Sequence, residues 1–174
     1  MEPIRVFVIV LATEHARYAR FTEALGSNHT VINATIGRSA GCVPHKLSKC
    51  SKIRGIIDTH TSFVRSEAAE QLGVSEPYVF AEVDAHALPL WQQKLSRITS
   101  KTAADVVGLA CQKGNVCKGT TALLLKNLTV HRNLVKMFGV RPFNDIDCVM
   151  FRTVVLLDIQ CSPFPLFQQR KGRW

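Results

Sequence analysis

The spacing of apolar residues changes period several times along the chain, and each change marks an element. Arg5–Leu11 (RVFVIVL) is almost continuously apolar and rich in Val and Ile. That suits a strand buried on both faces, as in a parallel sheet. Thr13 then offers an N-cap with Glu14 in the first turn, and Tyr18, Phe21 and Leu25 follow at helical spacing until Gly26 stops the helix. A second strand is predicted over Thr30–Ala34, which completes a β-α-β opening. Gly37–Ser51 has no clear period and reads as a loop. Ile53–Ile57 is a short apolar run. Asp58 or Thr59 then caps a predicted helix in which Val64, Ala68 and Leu72 stack, stopped by Gly73.

Pro77 admits the next strand, Tyr78–Ala81, which runs into an acidic turn, Glu82-Val83-Asp84, followed by His86. Leu88, Trp91, Leu95 and Ile98 form an apolar stripe for a short helix. Asp105–Ala110 and Thr121–Leu125 read as strands on either side of a loop at Lys113–Thr120. Val130, Leu134 and Phe138 stripe a helix closed by Gly139, and Val154–Ile159 is the last predicted strand. Strands alternating with helices predict one α/β domain with a mostly parallel central sheet flanked by helices. The domain is predicted over residues 1–168, and 169–174, with Arg170-Lys171-Gly172-Arg173, as a disordered basic tail.

Composition agrees with a globular chain: 174 residues, 47% hydrophobic and 20% charged. The longest apolar run, Val6–Ala12, is far short of the roughly 20 residues a membrane-spanning helix needs. No small-residue cleavage site follows it, so it is read as a strand and not a leader. The expectation is a cytoplasmic protein whose six cysteines are reduced thiols. The net charge of +9 calls for an anionic partner, met by nucleic acid, an anionic membrane surface or a nucleotide diphosphate.

The candidate chemistry centres on Glu82 and Asp84. An apolar strand ending in two carboxylates one residue apart can hold a hard divalent cation, because Mg²⁺ and Mn²⁺ take carboxylate oxygens and complete their shells with substrate phosphates. The plain alternative is a pair of solvated turn acids. His60 is a candidate ligand contact in the first turn of its predicted helix, or else a helix-terminal imidazole bonding backbone. Asp145 and Asp147 are candidate general bases, or turn and cap residues. Cys42-x-x-His45 with Cys50 offers zinc-type ligands but has no nearby fourth partner. Gly114–Thr121 lacks the residue order of a phosphate loop, and neither a G-x-S-x-G nor a G-x-G-x-x-G motif occurs.

Taken in order, these features resemble glycosyltransferase family 25, the lipopolysaccharide-type galactosyltransferases and their collagen-modifying relatives. Ile9-Val10-Leu11 followed by Arg17 looks like that family's opening strand and the arginine of the next helix. Ala34-Thr35-Ile36-Gly37 looks like its A-x-D-G, and Thr59-His60 ahead of Phe63 looks like its S-H before an aromatic. Tyr78–Asp84 looks like its strand ending in E-D-D, and Gly119-Thr120-Thr121-Ala122 its G-T-x-A stretch. Val10, Ile36, Val83 and Leu123 stand where the family has Asn, Asp, an acid and an aromatic.

The resemblance implies a Rossmann-like GT-A domain that transfers a sugar from a nucleotide-sugar donor, a UDP-sugar, to a hydroxyl of a glycan or protein acceptor. It implies Mn²⁺ or Mg²⁺ at Glu82 and Asp84, with Arg17, His60 and Thr120 contacting substrate and Asp145 or Asp147 as base. Two alternatives stand beside it: a non-catalytic basic α/β protein that binds nucleic acid, and an inactive glycosyltransferase fold kept for protein interaction. Aromatics are only 7% of the chain, and most fall in predicted core stripes, which disfavours base stacking on single strands.

Overall fold

The computed structural model describes residues 3–11, 15–26, 29–37, 47–73, 75–110, 121–140 and 157–169. Strands β1 (Arg5–Val10), β2 (His29–Asn33), β3 (Tyr78–Glu82), β5 (Val106–Gly108), β6 (Ala122–Leu125) and β7 (Ile159–Cys161) form a six-stranded sheet in the order β2-β1-β3-β6-β5-β7. β1 is parallel to both β2 and β3, and β5 is parallel to β7. β6 is antiparallel to both of its neighbours. The sheet is therefore mostly parallel, with one reversed strand inside it. A second, two-stranded sheet pairs β4 (Ala85–Ala87) with β8 (Phe167–Gln169).

The continuous apolar runs read as buried strands because helices cover both faces of the sheet. Alternate residues of each strand separate into two cores. Val6, Val8 and Val10 of β1, with Val79 and Ala81 of β3, pack beneath α1 (His15–Leu25) and α4 (Trp91–Thr99) through Leu25, Leu95 and Ile98. Phe7, Ile9, Tyr78 and Phe80 face the other way, against α2 (Leu47–Phe63) and α5 (Leu128–Val140) through Ile53, Phe63, Leu134 and Phe138. At about 1.5–3 kcal/mol per fully buried large apolar side chain, these two cores supply the main favourable term. A one-turn helix, α3 (Glu67–Glu70), is capped by Ser66, whose Oγ accepts from the Ala69 N–H at 3.3 Å.

Three parts of the periodicity reading change. α2 begins at Leu47, inside the expected loop, and it absorbs both the Ile53–Ile57 run and the start of the helix expected after Asp58. Its start carries no acidic residue in the first turn, so the usual marker is missing. What fixes α2 is close packing on the segment after β2. A Cβ on Gly55 would lie 2.8 Å from the Thr35 carbonyl oxygen, so only glycine lets the two backbones approach. Thr59 Oγ1 meanwhile accepts the Thr35 N–H at 2.8 Å and donates to the Gly55 carbonyl at 2.7 Å.

The last sheet strand is Ile159–Cys161, later than expected, and residues 151–156 lie outside the described part. Gln169, expected to open a disordered tail, instead ends β8. Cys161 is disulfide-bonded, which corrects the expectation of six reduced thiols. No helix among the described residues is long and apolar enough to cross a membrane.

Candidate functional site

Strand order decides where a site can form. From β1 the chain passes through α1 to β2 on one side, then through α2 to β3 on the other side of β1. The carboxyl ends of β1 and β3 therefore flank the reversal of strand order, where open α/β sheets leave a crevice for ligands.

The acidic turn stands at that place. Glu82 is the last residue of β3 and lies opposite Ile9. Its N–H donates to the Thr121 carbonyl at 2.8 Å, and the Val83 N–H donates to the Ile9 carbonyl at 3.2 Å. The backbone at the turn is thus held from the β6 side and from the β1 side at once. Val83 is 4% exposed and belongs to the core under α1 and α4. Glu82 and Asp84, on either side of it, are half-buried. The apolar residue between the two acids is accordingly a core residue.

Beyond the turn, β4 is held by β8, with Ala85 opposite Gln169, His86 opposite Gln168 and Ala87 opposite Phe167. The segment leading into β8 crosses the carboxyl end of β5: Ser162 N–H donates to Gly108 at 2.9 Å, and Leu166 and Phe167 N–H donate to Leu109 at 2.9 and 3.2 Å. Leu166 and Phe167 are fully buried, and Phe167 packs on Trp91 at 5.6 Å. Sequence reasoning missed this closing strand. Its signal was a buried Leu-Phe pair among prolines, too short to show a period.

Glu82 and Asp84 offer carboxylate oxygens, the ligand type that hard cations take. Two carboxylates at a strand end, with diphosphate oxygens completing the shell, is the usual provision for Mg²⁺ and suits Mn²⁺. Among the described residues no group of three or more His, Cys, Asp and Glu side chains comes together. Cys42 and His45 of the zinc reading lie outside the described residues, as do Thr120, Asp145 and Asp147. Arg17 is in the first turn of α1, the helix that follows β1 and starts at the same edge of the sheet.

His60 is placed elsewhere. It sits in the last turn of α2, not the first turn of a helix, and is 2% exposed. Its Nδ1 lies 2.7 Å from His131 Nε2, and His131 Nδ1 lies 2.7 Å from the Tyr78 hydroxyl. Phe80 and Phe138 flank the His60 ring at 4.6 and 5.5 Å. Burial pushes His60 down to about 3. Burial, and secondarily the neighbouring His60, holds His131 well below the usual imidazole range. Burial raises the Tyr78 phenol, opposed by Arg132.

All three groups are therefore neutral near pH 7. With the phenol donating to His131 Nδ1, His131 Nε2–H donates to His60 Nδ1, and each ring is a single neutral tautomer. The chain ties β3, α2 and α5 together inside the core. Its spacing of 53 and 71 residues left no local pattern to read.

No family model matches the sequence, and no curated protein matches it. Among solved structures, the glycosyltransferase GlyE of Streptococcus pneumoniae TIGR4 aligns with a TM-score of 0.53 at 11% identity, over 93% of this chain and 46% of that one. The apo form of the same enzyme aligns with a TM-score of 0.48 at 11% identity, over 87% of this chain and 43% of that one. The chain thus spans about half the length of the structures it resembles. At this identity the likeness is one of fold: a mixed α/β domain, built on a mostly parallel six-stranded sheet, of the kind found in a glycosyltransferase.

Proposed function

We propose that this chain is a glycosyltransferase-like protein of the GT-A type, related to family 25, that holds a nucleotide-sugar at the carboxyl edge between β1 and β3. The observation that carries the reading is the acidic turn: two half-buried carboxylates flank a core valine, on a backbone bonded to both neighbouring strands where strand order reverses. Glu82 and Asp84 would hold Mn²⁺ or Mg²⁺. Such an ion neutralises the charge that develops on a diphosphate leaving group.

The chain's own groups would bind and orient. Arg17, at the start of α1, would contact the nucleotide phosphates. Thr120 would contact the donor, as the family 25 resemblance implies. Asp145 or Asp147 would take the proton of the acceptor hydroxyl, on a glycan or a protein, provided one reaches hydrogen-bond distance. His60 serves the fold beneath this edge instead of the substrate, because its Nδ1 is engaged by His131 inside the core.

Thermal melting with a panel of UDP-sugars, with and without Mn²⁺, tests the reading. A ligand at one hundred times its Kd should add about 2.7 kcal/mol and raise Tm in a concentration-dependent way. Melting unchanged by any nucleotide-sugar, together with salt-sensitive binding of DNA or RNA, would overturn it in favour of the basic nucleic-acid-binding alternative.

A further inference from the structure

A cavity of about 450 Å³ lies between α4 and β7, within the usual size range of small-molecule pockets. It belongs to the outer strand of the sheet, whereas Glu82 lies on β3, three places inward. Its walls are of two kinds. Ile98 and Val107 are buried and apolar, and Phe164 adds a half-buried ring. Arg97 and Lys101, both exposed, line the same cavity.

The cations come from one side of α4. Lys94, Arg97 and Lys101 are spaced by three and four residues, the spacing at which side chains are neighbours along a helix and its following turn. Lys94 Nζ already lies 6.0 Å from the centre of the Phe164 ring. Ion pairs between described residues include Arg5–Glu76 and Lys126–Asp105, and neither of these takes Arg97 or Lys101. Asp158, just before β7, instead accepts from the Gln160 amide at 2.9 and 3.2 Å.

The carboxyl end of α4 brings about half a negative charge, which two full cations exceed. Its last carbonyls also accept N–H groups locally: Ser96 from Ser100 at 3.1 Å, and Ile98 from Lys101 and Thr102 at 3.0 and 2.9 Å. An apolar recess with a ring on one wall and cations at its mouth selects a ligand with the opposite arrangement.

We infer that this cavity is a second binding site, separate from the acidic turn, for a small organic anion: a phosphate or carboxylate carried on a ring. The ring lies against Phe164, Ile98 and Val107 while Arg97 and Lys101 take the charge. The site gives part of the chain's excess of +9 a defined use.

Amide NMR of the full chain, titrated with phenyl phosphate, inorganic phosphate and phenol in turn, tests this. Phenyl phosphate should give saturable shifts concentrated at residues 97–102 and 159–164. Inorganic phosphate should bind at least tenfold more weakly, and phenol should not saturate. The double variant Arg97→Gln/Lys101→Gln should weaken phenyl phosphate at least tenfold with an unchanged melting temperature. Saturable shifts absent from these segments, or inorganic phosphate binding as tightly as phenyl phosphate, would overturn the site. Unaltered affinity in the double variant would overturn it as well. If the variant fails to fold, the wild-type shift map and the comparison of the three probes still decide the matter. None of these readouts depends on a metal or a nucleotide, so failure here leaves the acidic turn untouched.

Discussion

Phe80 separates two polar clusters of opposite character. Two positions further along β3, on the same side of the strand, stands Glu82, half-buried at the sheet's edge and fixed through its backbone. Against the Phe80 ring itself packs His60, enclosed in the core and fixed through its side chain to His131, which in turn is bonded to Tyr78. Both clusters contain residues that commonly act in chemistry. They differ in what burial leaves them able to do. A group that must meet a cation or a phosphate needs some exposure and a firm backbone; Glu82 is half-buried, and its N–H is held by the Thr121 carbonyl. The imidazoles are buried in the core, where desolvation disfavours their charged form, so they remain neutral and act as hydrogen-bonded struts.

The largest test removes the strut. His131→Ala should destabilise the domain by about 4 kcal/mol, since it empties a packed aromatic site and leaves the Tyr78 hydroxyl and a His60 nitrogen buried without partners. Chemical denaturation reads this directly. A loss under about 1 kcal/mol would mean that the region opens to water and that the contrast between the two clusters is false.

Acid should act nearly as strongly. Both imidazoles have folded-state pKa values below the unfolded value of 6.5. Below pH 6.5 the unfolded chain therefore binds protons that the folded core refuses. The stabilisation is present in full above that pH and is lost as pH falls. From pH 7 to pH 5 each histidine costs up to about 2 kcal/mol, or about 4 kcal/mol together. Urea midpoints measured across that range should drop steeply, and a variant with both histidines replaced by apolar residues should lose most of the slope. A flat profile in the wild-type chain would contradict the buried, neutral assignment.

A third substitution brings the comparison to the acidic turn. Val83→Asp restores the acid of the resembled family, yet position 83 faces the core under α1 and α4. It should cost about 3 kcal/mol without tightening metal binding. A stable variant with higher Mn²⁺ affinity would show that the turn can rotate its central residue outward. Tyr78→Phe is milder, at about 1–2 kcal/mol, because it removes one hydroxyl and leaves the His60–His131 bond in place.

How much of this was legible in the sequence follows from the same contrast. The runs at Arg5–Val10 and Tyr78–Glu82 announced themselves because burial on both faces makes a strand continuously apolar. The acidic turn was legible because three consecutive residues carry it. The His60–His131–Tyr78 chain was not, because its members come from two helices and a strand and meet only after packing. Nor was the extent of α2, whose register is set by the close approach of Gly55 to the segment after β2. The antiparallel setting of β6 also left no local mark, since a buried strand is apolar in either direction.

The central claim is that Glu82 and Asp84 form a cation site for a nucleotide diphosphate, and calorimetric titration of UDP into the protein with and without Mn²⁺ tests it most directly. The wild-type chain should bind UDP at least tenfold more tightly with Mn²⁺. Asp84→Asn should abolish that difference while changing the stability of the unliganded protein by at most about 1 kcal/mol. Mn²⁺-dependent binding that survives in Asp84→Asn and in Glu82→Gln, or UDP binding that never responds to Mn²⁺, would contradict the account.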